Sequence, residues 1–219
     1  MVASASADVI KLVGVGGNNQ GGVYTVPYYL TVNNGNTLTV MCDDYTHDVV
    51  VGETWQGSVF SYADLTTHLT ETRAGATVAN GGLGMNLTQA QQAYRELFWL
   101  FGQFELNPAP NGNVTANNIN FAAWAIFDPA VTGAAGWTTG PNSAAYWLAQ
   151  AQLATNWQNV NTNGYFIISP ANLLNGEGTD PHQGSSPQEY VGQVPEPASL
   201  ALLGSGLIGM GSFVRRRLM

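Results

Sequence analysis

The feature of this sequence that most constrains folding is an uncharged apolar run near the C-terminus, Ser199–Val214, followed directly by Arg215, Arg216 and Arg217. As a helix, its 16 residues would extend for about 24 Å, against a bilayer core of roughly 30 Å. The four glycines of the run and the three arginines after it suit a buried helix of a globular domain poorly. The run therefore predicts a transmembrane segment with the arginines on the cytoplasmic side, and a buried C-terminal helix is the alternative.

Pro195, Glu196 and Pro197 stand just before this run and predict an extended stretch, because proline restricts its own backbone and that of its predecessor. A membrane-embedded protease or transpeptidase needs such an accessible stretch, next to a membrane stop, to find its cleavage site. The order Val-Pro-Glu-Pro-Ala-Ser, apolar helix and Arg-Arg-Arg resembles the PEP-CTERM sorting signal of Gram-negative bacteria.

The resemblance to the PEP-CTERM signal implies a route for the protein. It implies export from a Gram-negative cell as a precursor anchored in the inner membrane, with an exosortase as the processing partner. The implied destination is the cell surface or the extracellular space. Such tails are common in species that make extracellular polysaccharide, so the resemblance also implies exopolysaccharide of a biofilm matrix as a partner.

The N-terminus carries a second candidate targeting signal. Ala5, Ser6 and Ala7 form an A-x-A pattern directly before Asp8, which is typical of a signal-peptide cleavage site. We expect residues 1–7 to be the remnant of a secretory signal, and a disordered Ala/Ser-rich N-terminus is the alternative. The expected division is therefore a signal remnant at 1–7, an extracellular globular domain at 8–194, and a sorting signal at 195–219 with its transmembrane segment at 199–214.

Charge is scarce in the rest of the chain. Charged residues make up 9% of the sequence, against about 25% in typical soluble domains. The part of the sequence before Pro195 contains three basic residues, Lys11, Arg73 and Arg95, and thirteen acidic residues. Nucleic-acid binding is therefore excluded, because it requires basic groups to neutralise phosphates. A neutral surface of amides and hydroxyls favours self-association or contact with polysaccharide. The single cysteine excludes a disulfide within the chain.

The pattern of apolar residues predicts an α+β domain. N-terminal antiparallel strands are expected to form a sandwich or barrel-like sheet with a central helical segment, and a single transmembrane helix follows at the C-terminus. The predicted strands are Val9–Val15, Val23–Val32, Thr37–Cys42, Val49–Trp55, Tyr165–Ser169 and Gln188–Gln193. The predicted helices are Tyr62–Thr72, Thr88–Phe104, Asn118–Phe127 and Ser143–Trp157, the second of them capped by Thr88 with Gln91 at the capping-box position.

Cys42 ends a predicted strand five residues before His47. On a strand this odd spacing places the two side chains on opposite faces, so a small buried cysteine is the first interpretation rather than a nucleophile with its base. A cysteine at a strand end and a later helix NFAAWAIF are similar to the thioester domain of bacterial surface adhesins. In that family a cysteine and a glutamine form an internal thioester that captures amines.

The thioester resemblance assigns a partner to Cys42. The family's glutamine stands in a Thr-Gln-x-x-x-Trp motif, and alignment on Trp124 places Asn120 at the glutamine and Ile119 at the threonine. Both departures weaken the implied link, because the asparagine side chain is one methylene shorter. The resemblance thus gives Cys42 and Asn120 as a candidate covalent pair. The alternative amide partners are Gln89, Gln91, Gln92 and Gln103.

Asp43, Asp44 and Asp48, with Glu53 nearby, form an acidic cluster that is a candidate Ca²⁺ site. Their spacing is not that of an EF-hand loop, and a solvated turn is the first interpretation. The three histidines lack zinc-ligand spacing. The sequence therefore predicts no cofactor, with Ca²⁺ as the alternative.

The tryptophans divide into two groups. Trp99, Trp124 and Trp147 lie in apolar helical patterns and are predicted to be core residues, whereas Trp55, Trp137 and Trp157 are candidates for stacking on sugar rings. Together, these features predict a non-enzymatic protein of the cell surface or extracellular matrix. The alternatives are a covalent adhesin of the thioester type and a secreted hydrolase that uses acids such as Asp43, Asp44 and Glu96.

Overall fold

Six antiparallel strands close into a barrel at the centre of the protein. The structure is a computed structural model that describes residues 7–16, 19–107, 114–171, 173 and 187–194. The strands are β1 (Asp8–Val15), β2 (Asn19–Gln20), β3 (Val23–Tyr24), β4 (Tyr28–Val32), β5 (Thr37–Cys42), β6 (Thr54–Ser61), β7 (Tyr165–Pro170) and β8 (Tyr190–Gln193). The barrel order is β1-β4-β5-β8-β7-β6, and β2 pairs with β3 in a separate hairpin.

Alternate residues of each strand fill the barrel interior. The register pairs Leu12 with Leu30 and Cys42 with Tyr190, and the same face carries these pairs around the barrel. The inward side chains that are at most 4% exposed are Ile10, Leu12, Tyr28, Leu30, Val40, Cys42, Trp55, Ile168 and Tyr190. The barrel is therefore a packed core of aliphatic and aromatic side chains.

Trp55 is one of these core residues, so its prediction as a free sugar-stacking residue is wrong. Its exposure is 2%, and its ring stacks on Tyr190 with a centroid distance of 6.3 Å. The cause is the strand register, which pairs Trp55 with Ile10 across β6 and β1 and turns the indole inward.

Five helices occupy the middle of the chain. They are α1 (Leu65–His68), α2 (Leu87–Leu106), α3 (Val114–Phe127), α4 (Ala144–Ala151) and α5 (Ala154–Trp157), with short 3-10 turns at Tyr62–Asp64, Leu69–Glu71, Val78–Asn80 and Pro129–Gly133. The cap of helix α2 lies two residues before the predicted one, at Asn86 instead of Thr88. Its capping box uses Asn86, whose side chain accepts from the Gln89 backbone N–H at 3.0 Å, while the Gln89 side chain accepts from the Asn86 N–H at 3.0 Å.

Helix α2 covers the outer wall of the barrel beside β7. Phe98 stacks on Tyr165 at a centroid distance of 4.4 Å, and the Tyr165 hydroxyl donates to the Phe98 carbonyl at 3.2 Å. Helix α3 packs against both α2 and α4. It is buried around most of its circumference, which explains why its sequence is apolar on nearly every side.

The predicted α+β class is confirmed, and the sheet goes beyond the prediction. The barrel includes β7 and β8 from the C-terminal part of the chain, so the N-terminal strands alone do not close it. The strand expected at Val49–Trp55 begins at Thr54 and continues to Ser61. Residues 23–32 divide into β3 and β4 around a cis Val26–Pro27 bond. Residues 143–157 divide into α4, capped by Ser143, and α5.

The predicted signal-peptide remnant and the predicted sorting signal lie largely outside the described residues. This applies to residues 1–6 and to the sorting signal at 195–219, including the transmembrane segment predicted at 199–214. None of the helices in the described part of the chain combines the length and the apolar character that crossing a bilayer requires.

Candidate functional site

The two ends of the barrel have different chemistry. The cavity end is formed where β1 and β5 finish and where β4, β6 and β8 begin, at Val15, Cys42, Tyr28, Thr54 and Tyr190. The exit end is formed by the opposite strand termini, at Asp8, Thr37, Val32, Ser61 and Gln193. The candidate site lies at the cavity end, where the segment 42–48 leaves β5.

Glu189 is the centre of a buried polar cluster at the cavity end. Its side chain is fully buried. Oε1 accepts a hydrogen bond from the Tyr94 hydroxyl at 2.5 Å, and Oε2 accepts from the Ser169 hydroxyl at 2.6 Å and from the Arg73 backbone N–H at 2.9 Å. The carboxyl group thus joins α2, β7 and the segment after α1 to the start of β8.

Asp43 lies beside Glu189, and the two carboxyl groups form a pair. Burial raises the pKa of Asp43 well above its usual range, and the neighbouring Glu189 and Asp44 raise it further. Burial also raises the pKa of Glu189, despite its hydrogen bonds from Ser169 and Tyr94. Neither side-chain oxygen of Asp43 accepts a hydrogen bond from the described residues. Burial is the cause common to both raised pKa values, and two buried carboxyl groups this close together disfavour two negative charges.

Asp44 has the opposite electrostatic environment. Burial alone would raise the pKa of its carboxyl, but the hydrogen bond with His47 and the charge of Arg73 lower the pKa below its usual value. Oδ2 lies 2.7 Å from the Arg73 Nε. Oδ1 lies 2.9 Å from His47 Nδ1 and accepts from the Thr46 backbone N–H at 3.1 Å. Asp44 is therefore an ionised partner of a buried arginine.

Arg73 extends this network to segments far apart in the sequence. Its Nη1 donates to the carbonyls of Gly81 at 3.0 Å and Leu173 at 2.8 Å, and its Nη2 donates to the carbonyl of Pro187 at 3.4 Å. Arg73 also pairs with Asp44 through its side chain and donates to Glu189 through its backbone N–H. This one residue therefore connects four segments of the chain, which indicates that the cluster stabilises the fold at the cavity end.

The structure places the three aspartates of the candidate Ca²⁺ site in different surroundings. Asp43 faces Glu189, Asp44 pairs with Arg73, and Asp48 is exposed. Within the described residues, no group of three or more His, Cys, Asp or Glu side chains is arranged to hold a metal ion. Glu96, a candidate acid of the hydrolase alternative, is bonded instead to Gln92 on α2 at 2.7 Å.

Cys42 is a buried free thiol. Its Sγ donates to the Asp44 carbonyl at 3.2 Å and accepts from the Asp44 N–H at 3.4 Å. Burial raises the pKa of the thiol well above its usual value, and the carboxyl groups of Asp44 and Asp43 raise it further. His47 contacts Asp44 rather than this sulfur. These surroundings favour the unreactive thiol over the thiolate.

Asn120, the candidate covalent partner of Cys42, is hydrogen-bonded to the backbone of Cys42. The contact runs through the backbone: Asn120 Nδ2 donates to the Cys42 carbonyl at 2.9 Å. The other end of the amide, Oδ1, accepts from the Val26 N–H at 2.8 Å. Asn120 therefore holds two backbone segments at the cavity end, and the covalent link between the two side chains stays a prediction.

An aromatic cavity opens beside this cluster, with a volume of about 190 Å³. Tyr24, Tyr45 and Trp124 line it, and Asp48 lies at its edge. Tyr24 is 55% exposed, and Tyr45 packs on Trp124 with a ring centroid distance of 5.1 Å. Trp124 is a core residue, as predicted, and one part of it also lines this cavity. We call this pocket the aromatic cavity.

Sequence reasoning missed several of these residues. It did not identify Glu189, Arg73 and Tyr94 as a cluster, and it did not identify Tyr24 and Tyr45 as cavity residues. One signal was present, because Glu189 is a charged residue inside a predicted strand of a chain with few charges. The tryptophans predicted to be free at 137 and 157 are half-buried, and neither lines the aromatic cavity.

Residues 193–217 match the family model of the PEP-CTERM protein-sorting motif. The chain carries a PEP-CTERM sorting signal. This motif marks an exported, membrane-anchored precursor that an exosortase processes, and the resemblance inferred from the sequence is confirmed. The matched span includes Pro195–Pro197 and Arg215–Arg217. No curated protein and no solved structure matches the chain.

The PEP-CTERM motif begins at the last residue of the barrel strand β8. Gln193 is the last residue of β8 and pairs with Tyr165. The N–H of the next residue, Val194, donates to the Gly164 carbonyl at 2.9 Å. The sorting signal therefore starts at the exit end, on the far side of the barrel from the aromatic cavity.

Proposed function

We propose that this protein is a non-enzymatic component of the cell surface or extracellular matrix of a Gram-negative bacterium. In this proposal it associates with exopolysaccharide through the aromatic cavity, and its neutral surface favours contact between copies. The observation that carries the proposal is the position of the cavity at the barrel end opposite to the sorting signal. A domain tethered at its exit end presents the aromatic cavity away from the membrane.

The lining of the aromatic cavity supports a carbohydrate ligand. Aromatic rings offer flat apolar faces for the C–H groups of a sugar, and the hydroxyls of Tyr24 and Tyr45 can exchange hydrogen bonds with sugar hydroxyls. The Asp48 carboxylate adds an acceptor at the edge. A volume of about 190 Å³ lies below the usual range for drug-sized ligands and suits a single ring of a longer chain.

The buried polar cluster supports a non-enzymatic role. Both oxygens of Glu189 are engaged by protein donors, and Asp44 is paired with Arg73. Asp43 is 2% exposed, and burial raises the pKa of its carboxyl well above the usual range. These acids are committed to holding the fold, which favours structural over hydrolytic chemistry.

A second candidate function is a covalent adhesin of the thioester type. It rests on the contact of Asn120 with Cys42. The Cys42 sulfur is hydrogen-bonded to the Asp44 backbone, and the Asn120 side-chain amide is hydrogen-bonded to two backbone groups, so this candidate is the weaker of the two.

Carbohydrate binding is tested by co-sedimentation of the full chain with exopolysaccharide from a Gram-negative biofilm. We expect Tyr24→Ala to raise the Kd about 5- to 10-fold, because one stacking contact is worth on the order of 1 kcal/mol. Tyr146→Ala is the matched control, since Tyr146 is 39% exposed on α4 and outside the cavity. Equal binding by wild type and Tyr24→Ala would count against the proposal.

The exosortase step is tested separately by intact mass spectrometry of the protein from cells and from medium. With an active exosortase we expect a truncation within the PEP-CTERM motif. Replacement of Pro195, Glu196 and Pro197 by alanine should leave the full-length mass in the membrane fraction. Identical processing of both forms would contradict recognition through these residues.

A further inference from the structure

The exit end of the barrel carries an apolar opening that the sorting signal does not explain by itself. Val32, Leu38, Val59, Phe166 and Val194 line it, and its volume is about 340 Å³. We call these residues the exit mouth. The strand register turns the first four toward the barrel interior, so the exit mouth is the uncovered end of the hydrophobic core.

Phe166 forms the floor of the exit mouth. Its ring lies across Gly192, where an added Cβ would sit 2.5 Å from the Phe166 Cζ. The glycine thereby allows the ring to close the interior just inside the opening. The residues outside this floor are less covered: Val32, Leu38 and Val59 are half-buried, and Val194 is 51% exposed.

The position of the sorting signal indicates what covers the exit mouth. Val194 is both a lining residue and the second residue of the matched motif. Four residues, 195–198, separate it from the apolar run that begins at Ser199. Fully extended, they span at most about 14 Å. While the apolar run is inside a bilayer, the exit mouth must therefore lie next to the membrane surface.

The rim of the exit mouth is compatible with such a position. The β4–β5 turn consists of neutral residues, 33–36 (NNGN). Among the described residues, a carboxyl group of α2, Glu105, lies near Tyr165 at this end, and two more, Asp8 and Asp64, are hydrogen-bonded within the protein. Asp8 accepts from Asn33 Nδ2 at 2.7 Å, and Asp64 accepts from the Ser61 hydroxyl at 2.7 Å. Neutral amides around an apolar centre suit the headgroup region of a bilayer.

We propose that the exit mouth is a lipid-contact surface that rests on the membrane while the precursor is anchored. The partner is the interfacial layer of the bilayer, which covers the open end of the core where the half-buried valines and Leu38 lie. The contact fixes the barrel upright, with the aromatic cavity facing outward. This inference rests on the membrane-anchored state of the precursor and adds an orientation that a flexible tether would not provide.

The test uses the full chain in vesicles of phosphatidylethanolamine and phosphatidylglycerol. An environment-sensitive fluorophore is attached at Val32→Cys in the exit mouth, or at Val49→Cys as the matched control. Both positions are half-buried valines packed against the core, and they lie at opposite ends of the barrel. Any labelling of the buried Cys42 by the fluorophore is measured on the wild-type protein, and its fluorescence is subtracted.

We expect the Val32 label to shift to the blue in vesicles and to be quenched by brominated lipids, while the Val49 label does neither. The additional change Leu38→Asp should abolish both effects at position 32, and flotation of the vesicles should still carry the protein. A blue shift without quenching would mean that the sorting tail or a second copy fills the exit mouth, and it would overturn the proposal.

Flotation separates this proposal from the anchoring on which it rests. A chain that floats with the vesicles but keeps a water-like Val32 label disproves the lipid contact and leaves the anchored precursor intact. A chain that fails to float contradicts the anchoring and removes the basis of the lipid contact with it.

Discussion

The cavity end and the exit end of the barrel stabilise the protein to different degrees. At the cavity end, Glu189 and Arg73 are buried, are hydrogen-bonded and join segments that are distant in sequence. Asp43 is buried beside Glu189. At the exit end, the interior finishes in half-buried valines and Leu38, and the polar contacts of Asp8 with Asn33 and of Asp64 with Ser61 are exposed. The comparison indicates that the fold is fastened at one end and left free for contact at the other.

The energetic difference follows from what each end loses when it is perturbed. A buried donor or acceptor without its partner costs about 1–3 kcal/mol. An aliphatic side chain at a half-exposed rim has already kept part of its contact with water, so trimming it costs less than a core truncation. The two ends are therefore expected to respond very differently to substitutions of similar size.

The largest effect is expected for Glu189→Ala. It removes the acceptor of the Tyr94 hydroxyl and of the Arg73 N–H, while the Ser169 hydroxyl keeps the Glu71 carbonyl, so we expect a loss of about 3–5 kcal/mol in the free energy of unfolding. Gln193→Ala, in the same strand at the exit end, should change it by less than about 0.5 kcal/mol. Urea denaturation of both variants measures the contrast, and similar losses would break the comparison between the two ends.

A smaller effect is expected in the pH dependence of stability. The folded-state pKa values of Asp43 and Glu189 are raised, so the folded protein holds these protons more tightly than the unfolded chain. Their stabilising contribution is fully present below the unfolded values near 4, and it is lost as pH rises from about 4 through the folded values. Asp44 acts in the opposite direction, because its lowered pKa makes its contribution decline only on acidification below about 4.

Asp43→Asn isolates the contribution of the carboxyl pair. We expect thermal unfolding of wild type to shift to lower temperature between pH 4.5 and pH 8 (roughly the range above the ordinary carboxyl values), and the variant to have a flatter profile. Asp48→Asn at the exposed edge of the same end is the control and should keep the wild-type slope. A wild-type profile that rises with pH across this range would contradict the raised pKa values of Asp43 and Glu189.

The smallest expected effect is at Cys42, whose thiol should not react with labelling reagents in the folded protein. The thiol is fully buried and its pKa is raised by burial, so we expect no labelling until the protein is unfolded. A thiol introduced at the exit end by Val32→Cys should react promptly under the same conditions. Intact mass should equal that of the processed chain, whereas loss of ammonia, about 17 Da, would establish a Cys42 link to an amide and revive the thioester candidate.

Local patterns predicted those parts of the fold that depend on neighbouring residues. Strict alternation placed β1 and β5 within a residue of their true bounds, and the apolar density of residues 118–127 identified most of α3. The order of proline, apolar residues and arginines identified the sorting signal, because a signal read by a membrane enzyme must be encoded in consecutive residues. In each case the information lies within one segment of sequence.

The remaining features depend on contacts between distant segments. Trp55 looked free because its strand was placed at Val49–Trp55, whereas its burial follows from pairing with β1. Glu189 meets Tyr94 and Arg73 across separations of 95 and 116 residues, and no local pattern records such a meeting. The hydrogen bond from Asn120 to the Cys42 carbonyl joins residues 78 positions apart, and no local pattern predicts it.

The closing strand β8 also determines when this protein can finish folding. β8 completes the barrel between β5 and β7, and it ends where the sorting signal begins. A chain that crosses a membrane from its N-terminus delivers β1 and β4–β7 first and leaves the edges of β5 and β7 unpaired until Gln193 emerges. The run predicted to span the membrane begins six residues after Gln193. If that run stops transport, we expect completion of the domain and arrest of transport to coincide, and the unfinished sheet is the state that needs protection from aggregation.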